Sequence, residues 1–257
     1  LVAGTFGRGI RVLDDYSPLR ALARREREIL SSDAHVFEPD TARMYLQRAP
    51  LGGGEKASQG DAFYTASNPP YGALFTWYLG DGLETRREAR REREREAAEE
   101  GEDVRYPPWD TLKAEDRERE PEVLLVIRDT DGNVVRRVDA PASGGIHRTA
   151  WDFRYPSFEP GSAEEDGGGG FFGPRGPLAV PGGYTVSVVK RVRGETTELV
   201  GPTPFRVQPV GVHALEPTDR DSLLAFQRRV GELQRAAMGA DEVLEETLER
   251  FDRMRDA

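Results

Sequence analysis

The feature that most constrains this fold is a series of short, apolar-rich segments separated by turn-forming residues. These segments are 73–79, 122–129, 133–140, 147–155, 183–192 and 198–210. Apolar and polar residues alternate cleanly in 147–155, and this period of two predicts a β-strand with one apolar and one polar face. About six such strands joined by turns predict an antiparallel β-sandwich of immunoglobulin or fibronectin type, spanning residues 73–210.

Two insertions interrupt the predicted sandwich, at 83–107 and 159–177. Every residue from 86 to 100 is Arg, Glu or Ala, which predicts either a helix that is polar on all sides or a disordered tract. The second insertion is rich in glycine and predicts a mobile loop. Its Phe171-Phe172 pair either pins this loop to the sandwich or forms an exposed tip.

The two ends of the chain have different patterns. Residues 1–14 alternate on both sides of a glycine-containing turn and predict a β-hairpin. The connecting segment 17–72 begins with a short helix or turn and continues with an extended stretch. After residue 210, two apolar stripes separated by Gly239 predict an antiparallel αα-hairpin over 211–257. The overall prediction is a mainly β fold with a helical C-terminal part.

Composition restricts the classes of partner. The net charge is −10 and the pI is about 5.0, which argues against nucleic acid, because phosphate binding needs a basic surface. No apolar run approaches the ~20 residues that span a bilayer, so no membrane span is expected. The chain has no cysteine, which excludes disulfides and thiolate chemistry.

Motifs that carry chemistry are few. The three histidines, His35, His147 and His213, are isolated, and there is no G-x-S-x-G motif, so neither a zinc site nor a serine triad is predicted. The segment "DTDGN" resembles the start of a calcium loop, but Ala140 occupies the twelfth position in place of glutamate, and a hairpin turn explains the motif. No catalytic residue, cofactor or metal ligand is therefore predicted.

Exposed aromatic residues are the remaining candidates for binding. Tyr71, Trp77 and Trp109 could form a stacking platform for carbohydrate or a surface for a partner protein. Trp151 lies in phase with the apolar face of its segment and is expected in the core.

Five motifs, followed by the predicted terminal helical hairpin, carry a resemblance to a known family. They are "LVAGTFGRGIRVLDDYSPLRAL" (1–22), "NPPYGA" (68–73), "DTDGNVVRRV" (129–138), "TAWDFRYP" (149–156) and "PGGYTV" (181–186). Their order resembles the C-terminal region of bacterial sortilin-like BNR (Asp-box) repeat β-propeller proteins, often labelled glycosyl hydrolase-like. The resemblance implies that residues 1–16 are the last strands of a truncated propeller. It also implies that the chain is a fragment whose partner is the upstream propeller of an exported parent, whether periplasmic, surface-held or secreted.

The resemblance carries no catalytic residue onto this chain, because the Asp-box motif is absent and any active site would lie upstream. The expected function is a non-catalytic accessory or binding module. If the parent is a glycosyl hydrolase, the module is expected to bind polysaccharide. If the parent is a receptor or scaffold, the module is expected to bind a protein or peptide. A third alternative is a purely structural module with no ligand. All three alternatives stay open at this point.

Overall fold

A computed structural model describes residues 1–6, 9–47, 68–104, 106–158, 175–211 and 217–255. The described strands are β1 Val2–Thr5, β2 Gly9–Val12, β3 Ala34–Val36, β4 Ala42–Met44, β5 Ala73–Leu79, β6 Glu122–Asp129, β7 Val134–Ala140, β8 Gly145–Trp151, β9 Gly183–Val192 and β10 Glu195–Pro209. The described helices are α1 Ser17–Leu30, α2 Arg86–Glu99, α3 Trp109–Asp116 and α4 Pro217–Arg255. The chain is mainly β, with several sheets and a C-terminal helix.

Two sheets contribute side chains to one hydrophobic core. The larger sheet has the strand order β4-β10-β9-β6-β7 and the smaller has the order β3-β5-β8. The strands pair antiparallel, except that β4 runs parallel to β10. Phe75 of the smaller sheet meets Phe205 of the larger one edge-on, with ring centroids 5.0 Å apart. The buried residues between the sheets are therefore what holds the two layers together.

Burial alternates along β5 but not along β6. In β5 every second residue is buried, from Ala73 to Leu79. In β6 all five residues 123–127 are buried, because Leu124 and Val126 form a second, smaller cluster with Val189 on the opposite side of the sheet. A strand buried on both faces loses its alternation of exposed and buried positions.

Strands β3 and β4 lie within the predicted connecting segment 17–72. Ala34 pairs with Leu79 of β5, and Ala42 pairs with Val207 of β10. Each strand has only three residues, which is too short for a two-residue period to be recognised in the sequence. The connecting segment thus adds one strand to each sheet.

The N-terminal hairpin is confirmed and forms a separate sheet. Val2 pairs with Val12, and the two strands run antiparallel. Its large apolar side chains are exposed, with Val2 at 65% and Phe6 at 106% of their full accessible area. The hairpin therefore contributes little to the hydrophobic core.

The charged insertion forms a helix rather than a disordered tract. Thr85 begins α2 with a capping box, in which its hydroxyl accepts from the Glu88 backbone N–H at 3.2 Å and the Glu88 carboxylate accepts from the Thr85 backbone N–H at 2.8 Å. Helix α2 packs on α3 through Arg90, which donates two hydrogen bonds of 2.8 Å to the buried Glu115 carboxylate. These two helices form the insertion arm, defined here as residues 85–118.

The predicted αα-hairpin is wrong. Helix α4 continues without a break for 39 residues through Gly239. A mid-helix glycine costs about 1 kcal/mol relative to alanine, and the neighbouring "AAMGADEVLEE" residues are mostly strong helix formers. That cost alone does not end a helix when no capping turn follows.

Several sequence predictions fall outside the described residues. They concern most of the glycine-rich insertion with Phe171 and Phe172, the hairpin residues Gly7 and Arg8, and His213.

Candidate functional site

Trp77 is a core residue and does not contribute to a binding surface. Its side chain is 0% exposed, and its indole N–H donates to the Thr149 hydroxyl at 3.1 Å. The His147 ring lies 4.9 Å away. Trp77 follows the inward phase of β5, like Phe75 and Leu79, so the structure removes it from the predicted aromatic surface.

Tyr71 and Trp109 lie in different surroundings. Tyr71 is half-buried, and its hydroxyl donates to the Tyr45 carbonyl at 2.8 Å. Its ring meets the Phe153 ring edge-on at 5.4 Å, and burial raises the pKa of the Tyr71 hydroxyl. Trp109 begins α3 and is 66% exposed, with the Lys113 ammonium 5.6 Å from its ring. The three predicted residues therefore do not form one aromatic row.

A groove of about 550 Å³ lies between the segment 175–181 and the first turns of α4. This interaction groove is lined mainly by apolar side chains, among them Met44, Phe158, Leu178, Pro181, Leu223 and Leu224.

One wall of the interaction groove is formed where β8 ends. Phe153 adopts a positive φ of 63°, which turns the chain out of the strand. The segment 175–181 then runs beside 153–155: the Tyr155 N–H donates to the Pro177 carbonyl at 2.9 Å, and the Ala179 N–H donates to the Phe153 carbonyl at 2.7 Å. Gly176 is required here, because a Cβ at this position would lie 2.0 Å from the Tyr155 carbonyl oxygen.

The opposite wall is helix α4, held by contacts on one of its faces. The Phe158 ring packs so closely on Gly231 that a Cβ there would lie 2.1 Å from the ring. Arg235 donates to the Ser157 carbonyl at 3.0 Å, and the Arg228 guanidinium lies 5.3 Å from the centre of the Tyr155 ring. These contacts place the first turns of the helix along the groove.

The interaction groove has a charge opposite to that of the whole chain. Three arginines line it, Arg154, Arg175 and Arg220, and none of the described lining residues is acidic, although the net charge of the protein is −10. Arg154 is oriented by a hydrogen bond of 2.8 Å to the Gly176 carbonyl. Guanidinium groups beside apolar walls suit a ligand that combines a carboxylate with apolar side chains.

Sequence reasoning did not identify the groove residues. Arg154 was recognised only as a residue on the polar side of its segment, and Arg175 lies within the glycine-rich insertion. Arg220 comes 45 positions after Arg175, so no local spacing links the three. The one sequence signal was the Gly-Pro pair at 176–177.

No protein-family model, curated protein or solved structure matches this chain. The resemblance to sortilin-like propeller proteins thus stays a prediction from sequence motifs.

Among the described residues, no group of three or more His, Asp or Glu side chains is arranged to hold a metal ion. His35 has a buried Nε2 without a hydrogen-bond partner, and burial lowers the pKa of this imidazole. None of the described helices combines the length and apolar character needed to cross a membrane.

Proposed function

We propose that this chain is a non-catalytic accessory module that binds an acidic, partly apolar segment of another protein in the interaction groove. The observation that carries the proposal is the lining of the groove, in which Arg154, Arg175 and Arg220 stand beside apolar walls in an otherwise acidic protein. A carboxylate on the ligand would pair with a guanidinium, and its apolar side chains would bury against Leu178 and Leu224.

The broader context of the proposal comes from the sequence motifs. We infer that the two sheets form an immunoglobulin-like sandwich and that the module belongs to an exported sortilin-like BNR-repeat parent. The exposed apolar hairpin β1–β2 suits a position beside further strands of a propeller, since an isolated two-stranded hairpin is marginal in water. The parent would be either a glycosyl hydrolase or a receptor.

The burial of two of the three predicted aromatic residues favours peptide binding over carbohydrate binding. A sugar platform needs exposed aromatic faces, and of the three predicted aromatics Trp77 is 0% exposed and Tyr71 packs against Phe153. Trp109 remains a single exposed ring.

The test is selection of peptides from a random 12-residue display library on the full chain, followed by fluorescence anisotropy of the enriched peptides. We expect enrichment of Asp or Glu next to Leu or Phe, and at least about tenfold weaker binding by Arg175→Glu, because the change places like charges together. The matched control is Arg137→Glu on β7, an exposed arginine outside the groove, which should bind as the wild type does.

Three results would overturn the proposal. They are the absence of any enriched acidic peptide, equal loss of affinity in Arg175→Glu and Arg137→Glu, and binding to a panel of polysaccharides that Trp109→Ala abolishes. The last result would establish the carbohydrate-binding alternative.

A further inference from the structure

Helix α4 carries an apolar stripe with a heptad period along most of its length. The first series of positions is spaced by seven: Leu223, Val230, Ala237, Leu244 and Phe251. The second series follows each of these by three residues: Phe226, Leu233, Ala240, Thr247 and Met254. Nine of these ten positions are apolar, with Thr247 the exception. Such a pattern over more than four heptads is typical of a coiled-coil seam. We call these ten residues the α4 seam.

Apart from Leu223, which also lines the interaction groove at the start of the helix, the α4 seam lies away from the sheets. The helix docks through Arg228, Gly231 and Arg235, which are three and four residues apart and share one face. In heptad terms this docking face is opposite the seam. The seam is accordingly exposed: Phe226 at 65%, Leu233 at 71% and Phe251 at 62%.

The second half of α4 has no described tertiary support. Every described residue from 240 to 255 is exposed. Its ion pairs, such as Glu246 with Arg250 at 3.4 Å and Glu249 with Arg253 at 3.6 Å, contribute only a few tenths of a kcal/mol each. Because helices in proteins gain most of their stability from packing an apolar face, this half needs a partner on the seam.

We propose that the α4 seam binds the same helix of a second copy of this chain in an antiparallel coiled coil. The charges favour this direction. Residues 222–236 contain three arginines and one glutamate, whereas residues 240–255 contain six acidic residues and three arginines. The contacts of Arg228 and Arg235 are with an aromatic ring and with carbonyl groups, which do not neutralise their charge. An antiparallel pair places unlike halves together, and a parallel pair places like halves together.

The side-chain sizes fit the same arrangement. When the two helices are centred between Ala237 and Ala240, Phe226 of one copy meets Phe251 of the other, and Leu233 meets Leu244. Two small residues then lie at the centre, where they permit close approach of the backbones.

The size of the proposed interface is sufficient for a stable dimer. Seven large seam side chains per copy, each 41–71% exposed, would bury on the order of 1,400 Å² in total, within the range of specific interfaces. The docking face is opposite the seam, so the two sandwiches lie at opposite ends and on the outside of the helix pair.

The first test is sedimentation equilibrium of the full chain between 1 and ~100 µM. We expect a dimer, and we expect Leu244→Asp with Phe251→Asp to weaken it at least about 100-fold, because each change buries an unpaired charge. The matched control is Gly239→Asp, which adds an acidic side chain to the same stretch at a position with open space around it, and it should leave the dimer intact. A monomeric wild type at ~100 µM, or an undisturbed dimer in the double variant, would overturn the proposal.

The second test determines the direction of the helices and uses the absence of native cysteine. Val230→Cys and Thr247→Cys are near-isosteric changes at positions that the antiparallel register places side by side. Under mild oxidation, a mixture of the two variants should form a disulfide dimer, and each variant alone should not, because like positions would be ~25 Å apart. Disulfide dimers of each single variant without the mixed species would indicate a parallel pair and contradict the proposal.

Discussion

The two-sheet core and the insertion arm are stabilised in different ways. The core buries large apolar side chains completely, among them Trp77, Leu125 and Ile127. Helix α2 of the arm has no buried residue, and its central contact is the ion pair between Arg90 and the buried Glu115. Removal of apolar area from water stabilises the core at nearly any pH, whereas the arm depends on ionised carboxylates.

The difference shows that one chain can support helices without a hydrophobic face. Glu115 is 6% exposed, and a carboxylate this deeply placed is tolerated only when it is paired and hydrogen-bonded. Glu118 is similar: its carboxylate accepts from the Arg86 backbone N–H and from Arg193 of the β9–β10 turn. The arm is therefore attached to the sheets through charge-assisted hydrogen bonds.

The two tryptophans Trp77 and Trp109 give the largest expected difference between the core and the insertion arm. Trp77→Ala removes a fully buried side chain and should lower the free energy of unfolding by about 3–5 kcal/mol. Trp109→Ala, at the exposed start of α3, should change it by less than about 0.5 kcal/mol. Urea denaturation followed by circular dichroism measures both, and similar losses in the two variants would show that the arm is part of the core.

A change at Glu115 tests the ionic attachment of the arm. Glu115→Gln keeps the side-chain shape but leaves Arg90 without its buried carboxylate, so the amides of α2 should exchange with solvent faster while those of β6 keep their rates. Asp116→Asn is the matched control: Asp116 also pairs with an arginine of α2, Arg87, but it is 68% exposed, and an exposed ion pair contributes little stability. Hydrogen exchange with mass spectrometry makes the comparison, and unchanged exchange in α2 would show that apolar contacts suffice to hold the arm.

Acid should weaken the arm before the core. The hydrogen bonds from Arg90 lower the pKa of Glu115, and those from Thr85 lower the pKa of Glu88. A carboxyl whose pKa is lower in the folded state stabilises it above the ordinary glutamate pKa of about 4.3, and this contribution is lost as the pH falls through the lowered pKa. We therefore expect α2 to lose helicity below about pH 4 while the near-ultraviolet signal of Trp77 persists. The reverse order of loss would contradict this account.

The smallest effect is expected at the helix cap. Thr85→Ala removes the acceptor for the Glu88 backbone N–H and should cost about 1 kcal/mol of local helix stability. Thr85→Ser, which keeps the hydroxyl, is the control. Amide exchange in the first turn of α2 reports the change, and equal exchange in both variants would indicate that α2 is held from α3 alone.

Part of this fold follows from local pattern. The bounds of β5 and β6 agree with the predicted strands 73–79 and 122–129, because turn-forming residues on either side limit each apolar segment in the sequence itself. Trp77 also lies two residues from Phe75 and two from Leu79, so the phase of β5 indicates that its side chain is buried. The prediction of Trp77 as a surface residue overlooked this signal. The heptad spacing along α4 is equally local.

The assembled structure decides the rest. Strands β3 and β4 form only because they can hydrogen-bond to β5 and β10. Each has three residues, which are too few to show a period in the sequence. The interaction groove brings together Arg154, Arg175 and Arg220, which are separated by 21 and 45 positions. Period and phase depend on the backbone geometry of neighbouring residues, whereas contacts between residues far apart in the sequence depend on the burial free energy of the whole core.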